Sequence, residues 1–149
     1  MIGETDKKIL NEIQSNFPLT SRPFLEIGMR IDLPEDEVIE RIKKLKSSGI
    51  IRRIGGNFNS NSLGFRSTLC AANVPEEKID LFVETVNRYP GVTHNYLRSH
   101  PYNVWFTFIA RDMVIIENAL NEIKMETGVT EILNLPAIRT FKIKVDFAV

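Results

Sequence analysis

With one cysteine among 149 residues, the chain can form no internal disulfide. That thiol, Cys70, sits in the apolar run Leu69-Cys70-Ala71-Ala72, which reads as a buried, inert side chain rather than a nucleophile. No apolar stretch approaches the roughly 18 residues needed to span a bilayer. The start, Met1-Ile2-Gly3-Glu4-Thr5-Asp6, lacks the basic-then-apolar pattern of a secretory leader. The expectation is a cytoplasmic protein with no membrane association. An excess of charge of one sign is missing too, since 19 basic residues balance 19 acidic ones. No global field therefore draws the chain to nucleic acid. There is no zinc-type cysteine spacing, no glycine-rich phosphate loop and no nucleophile elbow. What is present, 43% hydrophobic and 26% charged residues, is ordinary for a folded globular chain.

The pattern divides into two pieces. Asp6 to Gln14 places Ile9, Leu10 and Ile13 on one helical face. A second helix is expected over about 22–30, with Leu25, Ile27 and Met29 as its apolar side chains. A third begins in Leu33-Pro34-Glu35-Asp36-Glu37, with proline just inside the start and acids in the first turn. It turns Val38, Ile42 and Leu45 inward and stops at Gly49. Ile50-Ile51-Arg52-Arg53-Ile54 is strongly β-prone, and Gly55-Gly56-Asn57 breaks it. Helix, turn, helix and hairpin predict a winged helix-turn-helix over 1–60, ending in the polar connector Asn59-Ser60-Asn61-Ser62.

Residues 61–149 contain a duplication. Tyr89-Pro90-Gly91-Val92-Thr93 and Glu126-Thr127-Gly128-Val129-Thr130 each follow an amphipathic helix and lead into a β-prone run. The helices, about 76–88 and 114–125, turn Ile79, Phe82, Val83 and Val86, then Ile116, Leu120 and Ile123, inward. Strands are expected at about 68–74, 92–98, 103–110 and 130–135. Strand-helix-strand twice over is a ferredoxin-like βαββαβ arrangement, so the whole is an α+β protein. A further strand is expected at Phe141-Lys142-Ile143-Lys144-Val145-Asp146-Phe147.

Chemistry concentrates in His94-Asn95-Tyr96-Leu97-Arg98-Ser99-His100-Pro101-Tyr102-Asn103-Val104-Trp105. These twelve residues hold both histidines, the only tryptophan and two of the three tyrosines. Imidazoles exchange protons near neutral pH or ligate metals, a guanidinium grips a carboxylate bidentately, and large amphipathic rings wall a flat ligand. Strand alternation puts Val92, His94, Tyr96 and Arg98 on one face, and Asn103, Trp105 and Thr107 on the open face of the next strand. The register across the turn decides whether His94 and Trp105 share a side. Each residue also has a plainer use. A strand histidine is commonly half-buried, a tryptophan commonly packs an interface, Arg52 and Arg53 suit a solvated wing, and Lys142 and Lys144 suit the wet side of a strand.

Helix-turn-helix followed by a ferredoxin-like domain resembles the Lrp/AsnC regulators along nearly the whole chain. The third helix argues against their function, because Glu35, Asp36, Glu37 and Glu40 occupy the end that would enter the major groove. The string Gly91 to Thr107 is more specific, and it resembles the siroheme decarboxylases, an enzymatic offshoot of the same architecture. Gly49 to Phe58, Leu133-Asn134-Leu135-Pro136 and Phe141 to Phe147 look similar to that family's A-type subunit.

The resemblance implies removal of the C12 and C18 acetate carboxyls of siroheme, giving 12,18-didecarboxysiroheme for haem synthesis, in a heterodimer with a B-type sister chain. Because the conjugated macrocycle can absorb the charge left by decarboxylation, no cofactor beyond the iron tetrapyrrole is expected, and the acids of the third helix predict no specific DNA binding. His94 and His100 are the candidate catalytic residues, either as proton donor or as axial ligand of the siroheme iron. Arg98, Arg52 and Arg53 are candidate cations for the carboxylate rim, with Tyr96, Tyr102 and Trp105 as walls and Asn95 and Asn103 as further contacts. A DNA-binding regulator, a haem or siroheme sensor and a non-catalytic subunit are the alternatives.

Overall fold

A computed structural model describes residues 2–56, 58–142 and 149. The chain forms two compact units, Met1–Asn57 with Lys142–Val149, and Phe58–Phe141.

In the first unit, helices α1 (Glu4–Ser15), α2 (Pro23–Ile31) and α3 (Glu35–Ser47) bury Ile9, Leu10, Ile27, Val38, Ile42 and Leu45. The expected inward faces of α1 and α3 are those observed. In α2 the face differs. Ile27 is buried with Phe24 and Ile31 packed nearby, while Met29 is exposed. Leu25, Ile27 and Met29 repeat every two residues, whereas a helix brings positions three and four apart to one side. Pro34 is the N-cap of α3, one residue earlier than expected, and Glu35, Asp36 and Glu37 fill its first turn, where negative charge suits the helix dipole. The turn between α2 and α3 requires Gly28, because a Cβ there would lie 2.3 Å from the Leu33 carbonyl oxygen.

The expected wing is not seen among the described residues. Among the described residues, 48 to 65 contain no strand. Ile51 is buried and its N–H donates to the Leu45 carbonyl at 3.1 Å, so it extends the helix end instead of a ladder. Local β-propensity makes a strand only against a partner, and the described residues of this unit supply none. In its described residues the first unit is thus a helix-turn-helix without the predicted hairpin. The expected last strand falls mostly on residues 143–148, which lie outside those described; Phe141 and Lys142 are irregular and exposed.

The second unit has the duplicated plan. Strands β1 (Arg66–Ala72), β2 (Val92–Leu97), β3 (Val104–Ala110) and β4 (Ile132–Pro136) form an antiparallel sheet in the order β2-β3-β1-β4. Helix α4 (Ile79–Asn87), entered through one 3-10 turn, and helix α5 (Met113–Thr127) cover one face. Asp112 caps α5 by accepting the Ile115 N–H at 2.9 Å. Phe82, Val86, Phe106, Phe108, Ile116, Leu120 and Ile123 close the core between helices and sheet. Phe82 and Phe106 meet edge to face at 6.2 Å, and burying each such ring stabilises the fold by about 1.5–3 kcal/mol. The opposite sheet face carries no helix of this unit.

Candidate active site

Register decides what that open face presents, because residues paired across antiparallel strands point the same way. Tyr96 pairs with Trp105, Trp105 with Ala71, and Ala71 with Leu133, giving one row. His94, Thr107, Leu69 and Leu135 give the next. His94 and Trp105 therefore share a side. Simple alternation also grouped Val92 with His94, and here the structure differs. Val92 pairs with Phe108 but His94 with Thr107, so Thr93 is an extra residue in a β-bulge. Val92 packs on the core, while His94 turns to the open face. Gly91 allows the close approach just before the bulge. Its carbonyl accepts the Ile109 N–H at 2.8 Å, and a Cβ would stand 2.2 Å from the Ile109 oxygen.

The turn from β2 to β3 is tied by the candidate residues themselves. Arg98 N–H donates to the Asn103 carbonyl at 2.7 Å, and Tyr102 N–H donates to His100 Nδ1 at 3.1 Å. The Trp105 indole N–H donates to the Tyr102 carbonyl at 2.6 Å. The His100 ring lies 6.3 Å from Tyr102, nearly parallel to it, and 6.5 Å from Trp105, edge-on. His94 is stacked 6.1 Å from Tyr96. The Arg98 guanidinium sits 5.8 Å from the ring centroids of both Tyr96 and Trp105, within cation–π range. Among the described residues, no carboxylate pairs with Arg98. The result is a contiguous group of His94, Tyr96, Arg98, His100, Tyr102 and Trp105: aromatic walls, an uncommitted guanidinium and two imidazoles.

Four other candidates lie elsewhere. Asn95 pairs with Phe106 on the helix-covered side, where its Nδ2 donates to Asn87 Oδ1 at 3.0 Å. Asn103 was expected on the open face, but it precedes β3 and turns to Val74. Its Oδ1 accepts the Val74 N–H at 2.9 Å and its Nδ2 donates to the Val74 carbonyl at 2.8 Å. Both amide ends are satisfied by backbone, so Asn103 clamps the start of β3. Arg52 and Arg53 belong to the helical unit and are exposed. Sequence reasoning did not single out Leu69, Leu133 or Leu135 for the open face, nor Thr93 beside His94. The three leucines are about 40% exposed there, at 42%, 39% and 43%, and the alternation of β1 and β4 carried that signal. Burial pushes the Cys70 thiol up to about 12, consistent with an inert side chain.

The helical unit is electrostatically different. Arg22 pairs with Glu35, Arg30 with Glu12 and Glu26, and Arg41 with Asp6 and Glu37. These carboxylates hold all three guanidinium groups above their ordinary range. A cavity of about 810 Å³ is lined by Asp6, Asp36, Glu37 and Glu40 beside Arg41 and Lys44. Its acids disfavour an anionic ligand. Among the described residues, no group of three or more histidine, cysteine or acidic side chains is placed to hold a metal ion, and no helix is long and apolar enough to cross a membrane.

Comparison with known proteins agrees with this division. Residues 6–52 match the siroheme decarboxylase NirDL-like HTH domain, and residues 62–142 match the AsnC-like ligand binding domain. The siroheme decarboxylase alpha subunit of Oleidesulfovibrio alaskensis is 55% identical, over 98% of this chain and 88% of that protein. The alpha subunit of Desulfovibrio desulfuricans is 54% identical, over 95% of this chain and 82% of that protein. A crystal structure of the siroheme decarboxylase NirDL with an iron-uroporphyrin III analogue superposes with a TM-score of 0.69 at 30% identity, covering 95% of this chain and 48% of that one. With such identity over nearly its full length, the chain belongs to the siroheme decarboxylase family, built from a helix-turn-helix and an AsnC-like domain.

Proposed function

We propose that this chain is a catalytic subunit that removes the C12 and C18 acetate carboxyls of siroheme, giving 12,18-didecarboxysiroheme for haem synthesis in the cytoplasm. The observation that carries the reading is Arg98, held over two aromatic rings with no carboxylate partner among the described residues and flanked by both histidines. Siroheme is a flat iron macrocycle rimmed by carboxylates. A guanidinium suits a carboxylate gripped by two hydrogen bonds, and Tyr96, Tyr102 and Trp105 offer faces for the ring plane. Arg52 and Arg53 remain candidates for further rim carboxylates.

Loss of carbon dioxide leaves an electron pair on a CH₂ carbon, which the conjugated macrocycle delocalises. An imidazole N–H then supplies the proton that makes the methyl group. No cofactor beyond the iron tetrapyrrole is needed for this sequence of events, and a neutral imidazole can also ligate the iron. The catalytic role falls to the AsnC-like part, 61–149. The helix-turn-helix part, 1–60, is retained without specific DNA binding, because its α3 acids repel phosphate. We further propose a heterodimer with a B-type sister chain. The half-exposed Leu69, Leu133 and Leu135 support a covering partner, as does the match to less than half of the longer NirDL chain.

The test is anaerobic incubation of the purified chain with siroheme, with and without the sister subunit, following product mass. Loss of two carbon dioxide molecules per siroheme is expected. Tight binding with no mass change would instead make the chain a sensor or a supporting subunit.

A further inference from the structure

A proton donor alternates between a doubly protonated and a singly protonated ring at each turnover. The ring nitrogen that does not react therefore needs a neighbour compatible with both states. The two histidines differ in this respect. Nδ1 of His100 accepts the backbone N–H of Tyr102 at 3.1 Å. An amide N–H only donates, so this bond needs a lone pair on Nδ1 and places the proton of the neutral ring on Nε2. A doubly protonated His100 cannot keep that bond. Nor can the ring left after Nε2 gives its proton away, since its remaining proton would sit on Nδ1.

Nδ1 of His94 meets Thr93 Oγ1 at 3.1 Å. A hydroxyl both donates and accepts, so it pairs with Nδ1 whether or not that nitrogen carries a proton. The bulge supplies this neighbour. As the extra residue between Val92 and His94, Thr93 escapes strict alternation and brings its hydroxyl beside the imidazole that follows. Tyr96 stacks along the same ring. His94 is thus held at Nδ1, with Nε2 left to react.

Resting on the decarboxylase reading above, we infer that Thr93 is a positioning residue for His94, and that His94 rather than His100 delivers the proton in this chain. Cleavage of the carbon–carboxyl bond leaves its electron pair on the CH₂ carbon. The Nε2 proton of doubly protonated His94 passes to that carbon and forms the new C–H bond. The ring that remains is neutral, its proton on Nδ1 donated to Thr93 Oγ1, and water returns a proton to Nε2. His100 keeps its Nε2–H as a hydrogen-bond donor to a rim carboxylate.

The experiment compares Thr93→Val and Thr93→Ser, each alone and combined with His94→Gln, in the chain assembled with its sister subunit. Valine keeps the branched shape and removes the hydroxyl. Thr93→Val should lower kcat about 3- to 10-fold, the equivalent of one neutral hydrogen bond, with KM and siroheme affinity unchanged. Thr93→Ser should restore the rate, and Thr93→Val should add no loss to His94→Gln. Wild-type kcat in Thr93→Val, no rescue by serine, or an equal loss in the His94→Gln background would overturn the role of Thr93. If His94→Gln is slow while Thr93→Val is not, only the positioning claim is lost. If His94→Gln and His100→Gln both keep full rate, the catalytic reading itself is lost.

Discussion

In the helix-turn-helix unit, Arg22, Arg30 and Arg41 are each bonded to carboxylates of neighbouring helices. In the sheet unit, Arg98 lies over Tyr96 and Trp105 with no such partner among the described residues. The same side chain is put to two uses. A paired guanidinium has its donors committed within the protein, so it contributes little to capturing an anion. One held against aromatic faces keeps its fork of donors in place and free. The helix-turn-helix unit has acids along the leading turn of α3, while the AsnC-like unit carries Arg98 beside both imidazoles.

The comparison can be sharpened at several points, beginning with the imidazoles. His94→Ala is expected to slow decarboxylation about 10²- to 10⁴-fold without unfolding the chain, because His94 is exposed on a sheet face. His100→Ala should act mainly on siroheme binding; an equal rate loss for both would make the two rings interchangeable. Removing a wall comes next. Trp105→Ala should weaken siroheme binding about 2- to 12-fold, the range of an aromatic pair beyond its buried area. It should also loosen the turn, because the indole N–H holds the Tyr102 carbonyl. An unchanged affinity would move the ligand off this face. Duplex DNA should give no specific footprint at physiological salt, since Glu35, Asp36 and Glu37 stand at the groove-facing end of α3. A footprint with steep salt dependence would restore the regulator reading. The smallest effect is on the thiol. Cys70 should resist alkylation at neutral pH until the chain unfolds, because burial pushes it up to about 12; rapid labelling of the folded protein would contradict that burial.

Much of this was legible in the amino-acid order, for reasons that differ by element. Helices α1, α3, α4 and α5 show apolar residues at helical spacing, and Phe82, Val86, Ile116, Leu120 and Ile123 do face the core. Local periodicity suffices there, because one helix face is buried whatever its neighbours. The bulge at Thr93 was not legible. One extra residue leaves the local pattern intact and shows only when β3 fixes the register. The wing failed for the related reason that Ile50 to Ile54 had propensity but no partner strand among the described residues. Asn103 failed because a side chain beside a turn can bond nearby backbone, and Val74 offered both a donor and an acceptor. The group around Arg98 was visible as a string of residue types, and its geometry awaited the pairing of β2 with β3.

The central claim is that Arg98, held between Tyr96 and Trp105 beside both histidines, binds siroheme, and the carboxylate-paired arginines of the helical unit do not. Optical titration of siroheme into the wild-type chain, Arg98→Ala and Arg41→Ala tests it directly. A hydrogen-bonded charge contributes about 1.5–3 kcal/mol, so Arg98→Ala should raise the dissociation constant roughly 10- to 150-fold, while Arg41→Ala leaves it unchanged. Equal affinities for wild type and Arg98→Ala, or a comparable loss in Arg41→Ala, would contradict the account.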